Sequence, residues 1–312
     1  MKKIIFMGTP DFAVPVLERL ITEGYHIDLV VTQPDRPRGR KKILTPPPVK
    51  VAAEKHAIDV FQPEKIKDNY DEIEKRNPDL IVTAAFGQLL PKGLLAIPSY
   101  GCINVHASLL PKLRGGAPIH YAILEGHEKT GISIMYMAER LDAGDIISQQ
   151  EIKISDNDDV GSLHEKLAVI GSDLLAETIP SIFSEEIKAT PQDEQLATFA
   201  PNITREQEKI NWSLSLQKVY NHIRGLHPWP VAFTTWQGKV FKVYEATKTN
   251  QSTTSKAGTI VAFEEDGLIV ATGDSQAIKL TMVQPAGKKK MSASDFQRGV
   301  GSKMEVGEIL GE

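Results

Sequence analysis

Residues 4–32 read IIFMGTPDFAVPVLERLITEGYHIDLVVT, a stretch that predicts a strand, a helix and a second strand. Ile4–Met7 is a short, continuous apolar run, which is typical of a strand buried on both faces. Asp11–Glu23 follows with apolar residues at helical spacing, and Gly24 stands where such a helix would end. Ile27–Thr32 is the next apolar run. This order indicates a parallel sheet covered by helices.

The same alternation continues through the first half of the chain. Further buried strands are predicted at Leu80–Thr83, Cys102–Val105 and Ile132–Met137, and a long helix at about Val160–Phe183. Short strands separated by helical patterns favour the α/β class with a mostly parallel sheet. We expect this first domain to span residues 1–188.

The pattern changes after Trp212. A helix is predicted near Ser215–Arg224. Short β-like runs then follow, separated by Gly, Asp, Ser and Thr: Val240–Ala246, Thr259–Phe263, Leu268–Ala271 and Ile278–Val283. Short strands with turn signals and no helices between them indicate a small β-barrel. We therefore expect a polar linker at 189–206 and a barrel domain at 207–312.

The composition is that of an ordinary globular protein, with 41% hydrophobic and 24% charged residues among 312. Cys102 is the single cysteine, which excludes a disulfide framework or a cysteine metal cluster within one chain. With no closely spaced pair of His either, we expect no metal. No apolar run reaches the ~18 residues of a membrane helix, and the run after Met1–Lys3 is too short for a secretion signal. These features predict a cytoplasmic protein.

The charge is unevenly distributed. The net charge of −4 argues against a general nucleic-acid binder. One segment is nevertheless strongly basic, within a loop predicted at Gln33–Pro48, and it contains Arg36, Arg38, Arg40, Lys41 and Lys42. A local basic stripe on an acidic body is typical of a site for an anionic partner, but five charges on a solvated surface loop explain it equally well.

Asn104 and His106 are the first candidates for chemistry. The turn after the first strand, Gly8–Phe12, lacks the G-x-G-x-x-G of dinucleotide-binding proteins, and the chain has no P-loop, G-x-S-x-G or H-E-x-x-H motif. Asn104 and His106 stand at the carboxyl end of a predicted strand and share one face of it. They could both donate hydrogen bonds to a developing oxyanion, or they could only tie down the end of the strand.

Two segments favour the first interpretation. His106–Pro118 is a loop with adjacent leucines, two prolines and a Gly pair, and we expect its apolar residues to be exposed unless a flat, apolar ligand covers them. Leu141–Asp145 follows a predicted strand and supplies Asp142 beside glycine.

These motifs resemble those of the folate-dependent formyltransferases. The family's signature reads N-x-H-x-S-L-L-P-x-x-R-G, followed later by L-D-x-G-D, and both parts are present here. Further motifs resemble the members of that family that formylate methionyl-tRNA: Gly8–Phe12, Gln33–Pro37, Pro46–Lys50, Asn211-Trp212, Pro228–Pro230 and Gln284–Lys289. The resemblance covers nearly the whole chain. It implies a Rossmann-like catalytic domain and an OB-like C-terminal barrel that helps to hold initiator tRNA.

The resemblance also implies a reaction, in which a formyl group passes from 10-formyltetrahydrofolate to the free α-amine of methionyl initiator tRNA. It assigns catalysis to Asn104, His106 and Asp142. Protonated His106 and Asn104 would donate to the oxyanion, and Asp142 would favour the imidazolium and relay a proton. The folate-contacting residues fall on one run of the loop: Ser108, Leu109, Leu110 and Pro111.

The contacts to tRNA fall on the basic segment. Arg40 stands at the position of the family's key arginine, beside Arg36, Arg38, Lys41 and Lys42. Many members read G-R-G-K-K here, whereas this chain lacks the second glycine after Arg40. The reach of the loop is therefore expected to differ slightly from that in such members.

Two alternatives stay open at this stage. A formyltransferase acting on a nucleotide-sugar amine or on glycinamide ribonucleotide would share the catalytic motif, but we expect such an enzyme to need neither the barrel nor the basic loop. A non-catalytic RNA-binding protein would use the barrel, in which Trp212, Trp229 and Trp236 could stack on bases, although core packing is the more common role of such residues. We also expect a monomer, although no pattern in the sequence supports that expectation.

Overall fold

The computed structural model describes residues 2–39 and 41–312, with only the backbone of Arg38 described. The chain forms two compact units, each described here by itself. Unit 1 comprises Met1–Pro118, Lys129–Lys153 and His164–Pro201, and unit 2 comprises Ile119–Glu128, Ile154–Leu163 and Asn202–Glu312. No helix in the described part of the chain is both long enough and apolar enough to span a membrane.

The first part of the chain alternates strands and helices. Its strands are β1 (Lys3–Gly8), β2 (His26–Val31), β3 (Arg36–Arg38), β4 (Ile43–Thr45), β5 (Val60–Phe61), β6 (Leu80–Ala84), β7 (Cys102–His106), β8 (Lys129–Tyr136) and β9 (Ile146–Lys153). Its helices are α1 (Ala13–Thr22), α2 (Pro48–Lys55), α3 (Asp71–Arg76), α4 (Lys92–Leu95), α5 (Pro118–Leu124) and α6 (Val160–Phe183). Short 3₁₀ turns lie at Ile66–Asp68 and Glu194–Leu196.

Unit 1 is built on a seven-stranded sheet in the order β5-β2-β1-β6-β7-β8-β9. The pairs from β5 to β7 are parallel. Ile4, Ile5, Phe6 and Met7 are fully buried, as a continuous apolar run predicts for a strand covered on both faces. The order of the strands along the chain reverses between β1 and β6, and ligands of open α/β sheets bind outside the carboxyl ends of the strands at such a reversal.

The edge formed by β8 and β9 is antiparallel. The connection from Tyr136 to Ile146 is too short for the crossover that a parallel pair requires. Strand β9 has no counterpart in the sequence prediction, because as an edge strand it carries the polar run Ser148–Glu151 and has no fully buried residue. A mostly parallel sheet with an antiparallel edge is consistent with the predicted fold class.

The region Gln33–Pro48 differs from the predicted loop. It contains an antiparallel hairpin of β3 and β4, and helix α2 begins at Pro48. Ile43 and Leu44 are 62% and 63% exposed, so the hairpin forms without an apolar core of its own. For this reason apolar periodicity cannot reveal it.

Unit 2 is dominated by an antiparallel sheet in the order β10-β11-β14-β13-β12, with β15 paired to β14. The strands are β10 (Phe233–Trp236), β11 (Lys239–Ser252), β12 (Ile260–Glu264), β13 (Gly267–Ala271), β14 (Gln276–Pro285) and β15 (Met291–Ser292). Within Asn202–Glu312 the helices are α7 (Leu216–Arg224) and α8 (Ala293–Arg298). A 3₁₀ turn follows at Val300–Lys303. The predicted fold class, a parallel-dominated α/β domain followed by a β domain, is confirmed.

The core of unit 2 accounts for two of the three tryptophans. Trp212 is buried and donates its indole N–H to Thr234 Oγ1 at 3.1 Å. Trp236 packs edge-to-face on Phe296, with ring centroids 5.6 Å apart. Trp229 is 43% exposed. Trp212 and Trp236 therefore serve the packing of the core, the more common of the two roles considered for them.

Candidate active site

Asn104 and His106 lie at the carboxyl end of β7, next to the end of β6. Thr83 of β6 is the parallel partner of Asn104. The Thr83 hydroxyl donates to Asn104 Oδ1 at 2.8 Å, the shortest of its three polar contacts. Because this contact engages the oxygen of the amide, the N–H groups of Asn104 form the end available for a ligand. Sequence reasoning missed Thr83, whose signal is a hydroxyl residue closing the apolar run Leu80–Thr83.

His106 is 5% exposed and each of its ring nitrogens faces a defined group. Nε2 lies 3.0 Å from the carbonyl oxygen of Leu113. A carbonyl only accepts hydrogen bonds, so Nε2 carries the proton of this contact. Nδ1 lies 3.7 Å from Asp142 Oδ2, which is close enough for an ion pair but too long for a hydrogen bond. Nδ1 is therefore the ring nitrogen that faces the carboxylate without a hydrogen bond to it.

Asp142 reaches this site from the loop between β8 and β9. Its Oδ2 accepts a hydrogen bond of 2.8 Å from the backbone N–H of Gly115, in the loop after β7. Its φ of 48° lies in the left-handed region, which aspartate tolerates better than most residues. Gly144 is required two residues further on, since a Cβ there would stand 1.8 Å from the carbonyl oxygen of Tyr136. The structure thus brings Asn104, His106 and Asp142 together.

Two further side chains hold the Asp142 loop. Gln192 Nε2 donates to the carbonyl oxygens of Asp142 and Gly144, at 2.8 and 2.7 Å. Arg114, which is 1% exposed, donates to Gln192 Oε1. No sequence pattern points to Gln192, because it lies in the polar segment that we predicted to be a linker.

The run from Ser108 to Pro111 folds onto β8. Ser133 Oγ donates to the carbonyl oxygen of Ser108 at 2.6 Å and accepts from the N–H of Leu110 at 3.0 Å. Leu109 packs over Gly131, where a Cβ would come within 2.6 Å of the leucine side chain. The Leu110–Pro111 peptide bond is cis.

Our expectation that the leucines of this loop are exposed is wrong. Leu110 and Leu113 are 3% and 2% exposed, and Leu109 is half-buried. The error arose because the loop folds inward and buries Leu110 and Leu113 within the protein. The Ser108 side chain is also buried, and its hydroxyl donates to the carbonyl oxygen of Lys112 at 2.6 Å.

Cys102, two residues before Asn104 on β7, belongs to the core. It is 3% exposed, and burial raises the pKa of its thiol to about 12. A thiol with such a pKa stays protonated at neutral pH and is a poor nucleophile. Cys102 is therefore a packing residue next to the site.

The basic segment lies on the β3–β4 hairpin of unit 1. Arg36 is exposed and forms an ion pair with Glu64, with Nη2 and Oε2 2.5 Å apart. Lys41 and Lys42 are exposed in the turn of the hairpin. Arg40 and the side chain of Arg38, also predicted to bind tRNA, lie outside the described residues.

Comparisons with known proteins cover both units. Residues 1–179 match the formyl transferase family, and residues 202–301 match the formyl transferase C-terminal domain family. The methionyl-tRNA formyltransferase of Halalkalibacterium halodurans is 62% identical over 99% of this chain and 98% of its own length. The prediction drawn from the motifs is thereby confirmed.

Two solved structures share the fold at low sequence identity. HypX from Aquifex aeolicus, in complex with tetrahydrofolic acid, is 16% identical with a TM-score of 0.68 over 99% of this chain, which spans about half (48%) of that longer protein. WlaRD, a sugar 3N-formyl transferase in the presence of dTDP and 5-N-formyl-THF, is 19% identical with a TM-score of 0.68 over 93% of this chain and 99% of its own.

The high identity to a methionyl-tRNA formyltransferase, which extends over both units, distinguishes this chain from formyltransferases that act on a small amine. The chain belongs to the methionyl-tRNA formyltransferase family.

Proposed function

We propose that this protein transfers the formyl group of 10-formyltetrahydrofolate to the free α-amino group of methionyl initiator tRNA, giving N-formylmethionyl-tRNA for translation initiation. The observation that carries the proposal is the cluster of Asn104, His106 and Asp142 at the carboxyl end of β7. Full-length identity of 62% to a methionyl-tRNA formyltransferase supports the choice of acceptor.

Asn104 and His106 act as hydrogen-bond donors in this proposal. The bound folate supplies the formyl carbon that the amine attacks and the N10 nitrogen that leaves. Negative charge then develops on the formyl oxygen, and one well-placed donor to such an oxygen contributes about 3–4 kcal/mol. Thr83 leaves the N–H end of Asn104 free for this role. The Leu113 carbonyl occupies Nε2 of His106, so Nδ1 is the donor of the protonated ring.

Asp142 has two roles that its position allows. Its carboxylate, 3.7 Å from Nδ1, favours the protonated form of His106 while leaving the Nδ1 proton available to the formyl oxygen. The carboxylate also takes a proton from the attacking amine and returns it to the leaving nitrogen, directly or through water. Acid–base assistance of this kind is typically worth about 10²–10⁴-fold in rate.

The residues next to this cluster suit a flat, partly apolar cofactor. Leu109 and Pro111 are half-buried, and Leu141, which precedes Asp142, is 49% exposed. We propose that Leu109 and Pro111 contact the folate through their side chains. Ser108 and Leu110, whose side chains are buried, hold the loop in shape for it. The proposal involves no metal.

The acceptor tRNA is proposed to meet the β3–β4 hairpin through Arg36, Arg38, Arg40, Lys41 and Lys42. Exposed Lys41 and Lys42 can neutralise phosphates at little desolvation cost. Arg36 would first have to exchange Glu64 for a phosphate. We further propose that residues 207–312 bind the tRNA, and that the protein acts as a monomer in the cytoplasm.

An assay with defined acceptors tests the proposal. The purified protein is incubated with 10-formyltetrahydrofolate and methionylated initiator tRNA, uncharged tRNA, or a nucleotide-linked amino sugar. We expect formyl transfer to the charged tRNA alone. Formylation of the amino sugar in preference to the tRNA would place the protein in the other branch, and RNA binding without transfer would favour a non-catalytic role.

A further inference from the structure

We infer that Gln192 is a positioning residue for Asp142, and that the buried Arg114 sets the orientation of its amide. The inference rests on the proposed function only in assigning Asp142 to the chemistry. The contacts themselves lie within unit 1 and join three separate segments of the chain.

The amide of Gln192 is fully engaged with the loop that carries Asp142. Its Nε2 has two protons and two acceptors, the carbonyl oxygens of Asp142 at 2.8 Å and of Gly144 at 2.7 Å. These two carbonyls flank the turn, so a single side chain fixes the backbone on both sides of Ala143. A displacement of about 1 Å in a catalytic group can cost about 100-fold in rate, so such fixing matters to Asp142.

Arg114 determines which end of the amide faces the loop. Its Nε and Nη2 donate to Gln192 Oε1 at 3.0 and 2.8 Å. A guanidinium has no acceptor, so the oxygen of Gln192 must face Arg114 and the nitrogen must face the carbonyls. Glu194 balances the charge of Arg114 through hydrogen bonds of 3.1 and 3.2 Å, and the hydrogen bond from Arg114 is the main cause that lowers the pKa of Glu194.

The conformation of Asp142 explains why it needs such support. Its φ of 48° is a conformation that L-residues disfavour, and its carboxylate must also meet the N–H of Gly115 at 2.8 Å. The backbone around Gln192 is fixed in turn, because Thr190 and Ile146 exchange two hydrogen bonds of 2.8 Å at the start of β9. The segment that we predicted to be a linker therefore contains Gln192, which supports the loop that carries Asp142.

The test compares Gln192→Leu with Gln195→Leu, a matched substitution of an exposed glutamine three residues further on. We expect Gln192→Leu to lower kcat roughly 10- to 100-fold, with KM for folate and tRNA within about twofold. Gln195→Leu should change neither. If Gln192→Leu unfolds, Gln192→Glu replaces it in the test, because glutamate keeps an oxygen facing Arg114 but has no N–H to donate to the carbonyls of Asp142 and Gly144.

A double-mutant cycle separates positioning from general stability. If Gln192 acts through Asp142, its substitution should cost less than about twofold in an Asp142→Asn background. Full additivity of the two effects, or an unchanged kcat in Gln192→Leu, would overturn the inference. The amide resonance of Gly115, which donates to Asp142, gives a readout without substrate. It should shift in Gln192→Leu even if the wild-type protein formylates another acceptor, and an unchanged resonance would count against positioning.

Discussion

Asp142 can be changed to asparagine with almost no change in shape, which isolates its charge from its packing. The carbonyl oxygen of the new amide can still accept the 2.8 Å hydrogen bond from Gly115. What disappears is the negative charge 3.7 Å from Nδ1 of His106. Both side chains are largely shielded from solvent, with exposures of 6% and 11%, so screening by water and salt is weak.

The expected fall in rate follows from this distance. Two unit charges about 4 Å apart interact by about 4 kcal/mol at an effective dielectric constant of 20. If the protonated form of His106 depends on that interaction in the transition state, its removal corresponds to about 10³-fold in kcat. Because the asparagine dipole retains part of the interaction, we expect a fall of about 10²- to 10³-fold.

The assay is single-turnover formylation of methionylated initiator tRNA, with tRNA affinity measured separately by a binding titration. Asp142→Asn should lower the rate while leaving the Kd for tRNA within about twofold. Asp145→Asn is the matched control, because Asp145 is an exposed acid in the same L-D-x-G-D motif and should keep near-normal turnover. Turnover by Asp142→Asn within a few-fold of the wild type would refute the assignment.

Three other predictions concern different parts of the chain. Asn104→Ala should lower kcat by about 10²-fold because one hydrogen-bond donor to the oxyanion is removed. A steady-state formylation rate near the wild-type value would contradict that role. Replacing Arg36, Lys41 and Lys42 by Gln should weaken tRNA binding, which is measured by titration at several salt concentrations. The slope of log binding constant against log salt concentration should become less steep by about 0.7–0.9 for each phosphate that is no longer neutralised. Burial lowers the pKa of His222 below its ordinary 6.5, so the folded state resists protonation and the unfolded state takes up the proton more readily as pH falls. The contribution of His222 to the free energy of unfolding should therefore be complete above pH 6.5 and decrease below it, by at most about 1.4 kcal/mol per pH unit. Chemical denaturation at several pH values should show a smaller decrease in the free energy of unfolding for His222→Phe than for the wild type.

Much of the fold could be predicted because the signals are local. Ile4–Met7 is a continuous apolar run, and the structure buries it completely in a central strand. The helix predicted at about Val160–Phe183 has the same bounds in the structure. Strand β9 and the β3–β4 hairpin could not be predicted in this way, because exposed strands carry polar or mixed residues and are held by pairing with neighbours rather than by apolar periodicity.

The candidate site, like the fold, could be predicted from the sequence only in part. That Asn104 and His106 share a face follows from their spacing on one strand, and the structure places both at its carboxyl end. The contact between His106 and Asp142 required a family resemblance to predict, since it joins two strand ends far apart in the sequence. The role of Gln192 could not be predicted even from the family resemblance. Its role depends on which carbonyls and which guanidinium surround it, and no residue pattern encodes such a contact.

The burial of Arg114 changes how the motif after β7 is to be understood. An arginine beside a candidate site invites assignment to an anionic ligand, yet Arg114 is 1% exposed and its donors are directed to Gln192 and Glu194. Ser108 likewise donates its hydroxyl to the backbone of Lys112. The spacing of S-L-L-P-x-x-R-G therefore reflects a loop that must fold back on β8 and on the segment around Gln192. Within the motif, Leu109 and Pro111 keep partly exposed side chains that can touch a ligand, whereas Ser108 and Arg114 are buried and hydrogen-bond to other parts of unit 1.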